Sequence, residues 1–149
     1  MELKSLQEIF ERDLTKLSQE IEAYTNEDKL WYTEKNIANS AGNLCLHLVG
    51  NLNTYIGKTL GKTNYIRNRD LEFSQKDVAK STLLKMISET RDVVRTSLSD
   101  INPVQLNEPF PVKVFSETTT TGFMLIHLAT HLSYHLGQIN YHRRLLDTP

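Results

Sequence analysis

Apolar residues recur every three to four positions in four separate segments of the chain, which is the spacing of one face of an amphipathic helix. The first segment covers roughly residues 2 to 24, and the second runs from about residue 36 to residue 60. The third follows Ser74, the expected N-cap, with Asp77 in the capping-box position, and continues to about Leu98. No alternation of strands with helices is visible. The pattern therefore predicts an all-α fold.

A long connection separates the third predicted helix from the fourth. Residues 99 to 118 contain Pro103, Pro109 and Pro111, and proline interrupts a helix because it has no backbone N–H to donate. Within this connection, residues 112 to 115 have the composition of a short strand. We expect the connection as a whole to be a loop.

The last predicted helix has a clear beginning and end. The threonine run at residues 118 to 121 offers an N-cap, and Arg143 and Arg144 supply the positive charge that suits a helix C-terminus. Residues 62 to 73 show no clean period, so we expect a structured loop there. Four amphipathic helices with these connections favour a four-helix bundle with a longer loop before the last helix.

Composition narrows the class of protein. The chain has 149 residues, the size of one ordinary domain, so we expect a single domain over residues 1–149. Its 17 Lys and Arg residues balance 18 Asp and Glu residues, which argues against a nucleic-acid partner. No apolar run approaches the roughly 20 residues of a membrane span, and the charged N-terminus lacks the apolar region of a secretory signal. With one cysteine, Cys45, no internal disulfide can form, and we expect a cytoplasmic protein.

Histidines are concentrated near the C-terminus. His127, His131, His135 and His142 fall within sixteen residues, and at about 100° per residue they share a helical stripe roughly 80° wide. Imidazole is the commonest protein metal ligand, and residues four apart lie one turn apart on the same side of a helix. His47, on the second predicted helix, would be able to supply a third ligand. The same stripe also fits hydrogen-bonded structural histidines, and the spacing alone leaves both interpretations open.

Other metal sites can be compared with the sequence directly. Ferritin-like di-iron bundles need Glu-x-x-His pairs, and the residues three before each histidine here are apolar. The motifs HExxH and CxxCH are absent from the sequence. Cys45 and His47 point about 200° apart on a helix, so they should not share one ion. Ligation of haem by two histidines is a weaker alternative that the sequence leaves open.

Several polar side chains lie beside the candidate ligands. Asn43 and Asn51 flank His47 by one turn on either side, and Gln138 lies within the histidine stripe. Such groups orient metal-ligating imidazoles by hydrogen bonds in many sites. Asn43 and Asn51 would equally well cap or stabilise loops.

The segment at residues 62 to 73 carries two arginines. Arg67 and Arg69 would bind an anionic substrate if this segment covered the end of the bundle. The alternative is a solvated loop with local ion pairs, and this alternative carries more weight for a charged loop.

Two motifs carry a resemblance to a known superfamily. The block from His131 to Gln138 resembles the HxxxHxGQ signature in the last helix of the DinB-like (damage-inducible) superfamily. Residues 39 to 52 resemble the helix that supplies the first histidine of that superfamily. Residues 67 to 73 are similar to a loop in one uncharacterised branch of it. The likeness covers essentially the whole chain in the same order.

This resemblance implies a four-helix bundle, often a homodimer, that holds a divalent metal through three histidines. The ligands would be His47, His131 and His135, with His127 lining the pocket and His142 at the surface or an interface. Three neutral imidazoles leave a fourth position for water or substrate, as in catalytic zinc sites. Zinc, nickel and iron suit these ligands about equally.

Characterised relatives of the superfamily include bacillithiol S-transferases and mycothiol-dependent maleylpyruvate isomerases. The resemblance therefore implies an enzyme that uses its metal to activate a low-molecular-weight thiol and transfer it to a small-molecule electrophile. Hydrolysis by a metal-activated water would use the same three ligands. The alternative from a different class is a non-catalytic bundle that acts as a dimeric metal- or ligand-binding module.

Overall fold

The computed structural model describes residues 3–148 as a set of helices. Residues 3–148 contain no β-strand, and one isolated antiparallel bridge joins Pro109 to Thr120. The prediction of an all-α fold is confirmed. The α-helices are α1 (Leu3–Glu22), α2 (Ala41–Leu52), α3 (Arg69–Ser74), α4 (Lys80–Ser99) and α5 (Thr121–Leu146).

The first and last helices agree closely with the hydrophobic pattern. Helix α1 ends at Glu22, and residue 2, where the predicted helix begins, lies outside the described residues. Helix α5 begins after Thr120, whose hydroxyl accepts the backbone N–H of Phe123 at 3.1 Å. Arg143 and Arg144 lie in its last turn, as predicted.

Helix α2 begins later than predicted and changes its winding at its end. Ser40 caps it by accepting the backbone N–H of Asn43 at 3.2 Å, so the regular helix starts at Ala41 rather than near residue 36. A π-helical turn, Asn53–Lys58, continues the path of α2. Asn53 donates its amide to the backbone carbonyl of Val49 at 2.8 Å, and such bonds compete with the regular helical ladder.

The segment between α2 and α4 differs most from the prediction. Helix α3 lies within residues expected to form a loop, and Asn68 caps it by accepting the backbone N–H of Leu71 at 3.3 Å. Ser74 is the last residue of α3 and not the N-cap of the next helix, which starts at Lys80. The prediction failed because Asp77 has φ 59°, a left-handed conformation that no right-handed helix contains.

The strand predicted at residues 112 to 115 is also wrong. Phe110 donates its backbone N–H to Thr119 at 2.8 Å, and Thr121 donates to Glu108 at 2.8 Å. These two bonds close the base of a loop, and the residues beyond them have no neighbouring strand with which to pair within the described chain. A strand needs such a partner, and the β-branched composition of this stretch does not supply one.

Helix α2 is the most enclosed element of the fold. All twelve of its residues are buried, and it packs against α3, α4 and α5, while α1 packs against α4 and α5 on the other side. The packing of the four longer helices is compatible with a four-helix bundle. Any polar side chain on α2 must therefore find its hydrogen-bond partners inside the protein.

Within residues 3–148, no helix combines the length and the apolar character needed to cross a membrane.

Candidate functional site

Three histidines from two helices converge on one point. His47 lies on α2, and His131 and His135 lie one turn apart on α5. The Nε2 atom of His131 is 3.2 Å from Nε2 of His47 and 3.1 Å from Nε2 of His135. One ligand atom from each residue lies within 4.8 Å of the other two. The three residues that the sequence selected as metal ligands are therefore brought together.

Burial favours the neutral form of two of these imidazoles. Burial lowers the pKa of His131 to about 4, and the neighbouring His135 and His47 lower it further by charge repulsion. Burial also lowers the pKa of His47, although its bond to Glu72 opposes this shift. Neutral imidazole is the form that binds metal ions.

The second ring nitrogens of His47 and His135 are already in hydrogen bonds. Nδ1 of His47 lies 3.0 Å from Oε1 of Glu72, and Nδ1 of His135 lies 2.7 Å from Oε1 of Gln138. Both oxygens are acceptors, so we assign the proton of each ring to Nδ1. The Nε2 atoms of His47 and His135 are then unprotonated, and each directs its lone pair toward His131. Gln138 thus contacts His135, and its role in orienting a metal ligand stays a prediction.

This arrangement has more acceptors than donors. His131 can direct at most one ring proton toward its two neighbours, and its own Nδ1 is buried without a hydrogen-bond partner among the described residues. An uncharged cluster of three imidazoles therefore leaves the Nε2 lone pair of His47 or of His135 without a hydrogen-bond donor within the cluster. A divalent cation among the three Nε2 atoms would give each lone pair a partner, so the residues fit a three-histidine metal site.

Glu72 is the partner of His47 that the sequence did not identify. It is buried and accepts two hydrogen bonds from Arg67, from Nε to Oε2 at 2.8 Å and from Nη2 to Oε1 at 2.9 Å. Gly50 leaves the space for it, because a methyl group at position 50 would lie 1.9 Å from Oε2 of Glu72. Glu72 follows His47 by 25 positions, and no periodic signal in the sequence connects the two residues.

The two arginines of this segment have different surroundings. Arg67 forms an ion pair with Glu72, so its guanidinium is not free to bind an anionic substrate in this arrangement. Arg69 is exposed and lies over the ring of Phe73, with its guanidinium carbon 5.4 Å from the ring centroid. The ring of Phe73 in turn packs 4.9 Å from the ring of His47, centroid to centroid.

The two asparagines near His47 take different roles. Asn43 donates to the backbone carbonyls of Glu72 at 3.0 Å and Gln75 at 2.8 Å, so it holds the C-terminal end of α3. Its contact with His47 is therefore indirect, through Glu72. Asn51 is buried, and its side-chain oxygen has no hydrogen-bond partner among the described residues.

The two remaining histidines lie outside the convergent group. The ring of His127 stacks on that of His131 with centroids 6.1 Å apart, and its other neighbour is the ring of Phe115 at 4.9 Å. His127 therefore lies beside the convergent group, and its role as a residue that lines the pocket or supports a ligand stays a prediction. His142 is half-buried, and burial lowers its pKa.

Comparison with known proteins places the chain in a family of unknown activity. No curated protein shows significant similarity to it. Residues 2–148 match the family described as "Protein of unknown function (DUF1572)". Because the match covers nearly the whole sequence, the chain belongs to the DUF1572 family.

Proposed function

We propose that this protein is a metal-dependent enzyme whose divalent ion is held by His47, His131 and His135. The observation that carries the proposal is the convergence of three Nε2 atoms within 4.8 Å, with the Nδ1 atoms of His47 and His135 already bonded to oxygens on the far side of their rings. A purely structural cluster gains little from this arrangement, since it directs the lone pairs of His47 and His135 at a residue that has only one ring proton to donate.

The resemblance to the DinB-like superfamily supports the same proposal. We propose a DinB-like four-helix bundle formed by α1, α2, α4 and α5, in which α2 supplies the first histidine and α5 supplies the other two. The proposed metal site and the proposed DinB-like bundle share one feature. This feature is the HxxxHxGQ block together with His47, which lies 84 positions before His131. The metal is zinc, nickel or iron, which suit imidazole ligands about equally.

A three-histidine site leaves at least one coordination position open to a small molecule. A divalent ion bound there would supply a Lewis acid that lowers the pKa of a coordinated thiol or water. The chain's own residues hold and orient the ligands, and the rings of Phe73 and Phe115 pack against those of His47 and His127. These two rings would favour an apolar portion in a substrate bound beside them.

We propose that the reaction is transfer of a low-molecular-weight thiol to an electrophile. The thiol has to come from a small molecule, because the chain's only cysteine is unsuitable. Cys45 is fully buried, and burial raises the pKa of its thiol to about 12. A cytoplasmic location, where such thiols are kept reduced, belongs to the same proposal.

We further propose that the protein is a homodimer that binds a small-molecule substrate. Support comes from large apolar side chains that α5 exposes along its length, namely Phe123, Ile126, Tyr134, Tyr141 and Leu145. Sedimentation velocity of the purified protein should give the mass of two chains, and a single species of 17.2 kDa would contradict the dimer.

Metal content is the first test. Elemental analysis of protein purified without a histidine tag should find about one equivalent of a divalent metal per chain. His47→Ala and His131→Ala should each remove it, because two imidazoles rarely hold an ion against dialysis. His142→Ala is the matched control and should retain the metal. A wild-type protein that takes up neither zinc nor nickel would overturn the proposal.

Activity is the second test. The metal-loaded protein should accelerate conjugation of a small thiol to a reactive halide, and His131→Ala should lower the rate to background. Equal rates for both proteins would exclude thiol transfer. Metal-dependent hydrolysis of activated esters in the same preparation would then identify a hydrolase, whereas inactivity in both assays would indicate a metal-binding module.

A further inference from the structure

We infer that Glu72 is a positioning residue for the metal site, acting through His47, and that Arg67 and Gly50 hold its carboxylate in place. The inference rests on the proposed three-histidine site and adds the element that aims the first ligand. It assigns a role to the segment between α2 and α4, of which the proposed function otherwise uses only Phe73.

The carboxylate reaches the correct edge of the imidazole for this role. Oε1 of Glu72 lies 3.0 Å from Nδ1 of His47, on the opposite edge of the ring from Nε2. While this bond is present, Glu72 cannot ligate an ion at Nε2, but it fixes the tautomer and prevents rotation of the ring. Phe73, the next residue, packs against the face of the same ring. Helix α3 therefore controls both the edge and the face of His47.

Arg67 explains how a buried carboxylate is tolerated at this position. Glu72 is only 6% exposed, and a buried charge is costly unless it is paired and hydrogen-bonded. The guanidinium of Arg67 donates to both carboxylate oxygens, at 2.8 and 2.9 Å. Together with the N–H of His47, these bonds engage both oxygens of Glu72 and hold the carboxylate in this orientation.

Gly50 explains how the carboxylate reaches α2 at all. His47 and Gly50 lie three residues apart, on neighbouring turns of one face of α2. A side-chain carbon at position 50 would lie 1.9 Å from Oε2 and 2.6 Å from Cδ of Glu72. A side chain at position 50 would therefore have to displace the carboxylate of Glu72 from its place beside His47.

The test is zinc affinity, measured by competition with a chelator. Loss of a carboxylate that orients a ligating histidine typically weakens metal binding by about 10- to 100-fold. Glu72→Gln keeps the size of the side chain but presents an amide NH2 to Arg67, so we expect about a tenfold loss. Gly50→Ala leaves every ligand and Glu72 itself in the chain, and we expect a loss of similar size.

Two matched variants control for a general loss of stability. Glu20→Gln breaks another Glu–Arg pair, in which Arg143 donates to Glu20 at 2.7 Å between α5 and α1. Gly42→Ala also places a methyl in occupied space on α2, 2.8 Å from the ring of Trp31, but away from Glu72. Both controls should keep the wild-type affinity.

A spectroscopic measurement separates positioning from stability. In zinc-loaded wild-type protein the Nδ1 proton of His47 should give a protected, strongly shifted NMR resonance. Glu72→Gln and Gly50→Ala should move or remove it, and neither control should.

Each outcome has a definite meaning. Equal zinc affinity in wild type and Glu72→Gln would overturn the inference while leaving the three-histidine site intact. An equal loss in all four variants would also overturn it, because the loss would then follow stability. A wild-type protein that binds no zinc would instead overturn the proposed function on which the inference rests.

Discussion

At the residue scale, the candidate site depends on the protonation state of its histidines. His131 contacts both other ligands through one nitrogen, and burial lowers its pKa to about 4. The cluster is therefore ready to bind a cation at pH 7 without first releasing a proton from His131. The same burial makes the metal-free protein sensitive to acid.

We predict that the metal-free protein loses stability as the pH falls from about 6.5 toward 4. The pKa of His131 is lower in the folded state than the ordinary value of 6.5, so the unfolded chain binds more protons in this window. The stabilisation is complete above pH 6.5 and is lost progressively below it. With allowance for the partial exposure of the ring, the loss by pH 5 should be about 1 kcal/mol.

Urea unfolding at pH 7 and pH 5, in the presence of a chelator, measures this effect. His131→Gln removes the titrating group but keeps a polar side chain, so its free energy of unfolding should fall less between the two pH values. An identical fall in both proteins would show that other groups are responsible.

At the element scale, helix α3 is attached to the rest of the protein mainly through α2. Its six residues are too few to form a stable helix alone, so its position depends on tertiary contacts. Asn43 supplies two of these contacts by donating to the carbonyls of Glu72 and Gln75. Lys76 also donates to the side-chain oxygen of Asn43. One buried amide therefore holds the C-terminal end of α3 and the residues that follow it.

We predict that Asn43→Ala loosens α3 locally. Two backbone carbonyls would lose their partner, which should lower the free energy of unfolding by about 1–3 kcal/mol. Hydrogen exchange followed by mass spectrometry should speed up in residues 69–76 and remain unchanged in α1. Asn53→Ala, which removes a buried amide bonded to Val49 and Thr90, is the control and should leave residues 69–76 protected. Equal exchange in this segment for both variants would contradict the role of Asn43.

At the scale of the whole molecule, the candidate ion would connect two distant parts of the chain. His47 and His131 are 84 residues apart, and they lie on the most enclosed helix and on the longest helix. An ion that binds these residues only when the chain is folded must stabilise the folded state.

We predict that zinc raises the melting temperature of the wild-type protein. At a free concentration 100 times the dissociation constant, the stabilisation is about 2.7 kcal/mol, which corresponds to roughly 5–10 °C for a protein of this size. The shift should disappear on adding a chelator. His131→Ala should show no shift, and a shift equal to that of the wild type would mean that zinc binds elsewhere.

The parts of this architecture that sequence predicts are those governed by local periodicity. Helices α1 and α5 follow from their apolar stripes, and the stripe of α5 also indicates His131 and His135. Helix α3 is too short for a hydrophobic period to be visible. The left-handed backbone conformation of Asp77, which follows it, is not indicated by the composition of this stretch. Glu72 was missed as the partner of His47 because a contact between α2 and α3 depends on the folded chain path. In α2 the contact is reflected in Gly50, a residue without a side chain one turn from the buried His47.

X-ray absorption at the zinc edge of the stoichiometrically loaded protein tests the central claim most directly. We predict three nitrogen ligands at about 2.0–2.1 Å with the multiple scattering of imidazole, and one or two further light-atom ligands. His131→Ala should lose one imidazole contribution or fail to retain zinc. A sulfur ligand from Cys45, or a shell of oxygens with no imidazole scattering, would contradict the three-histidine site.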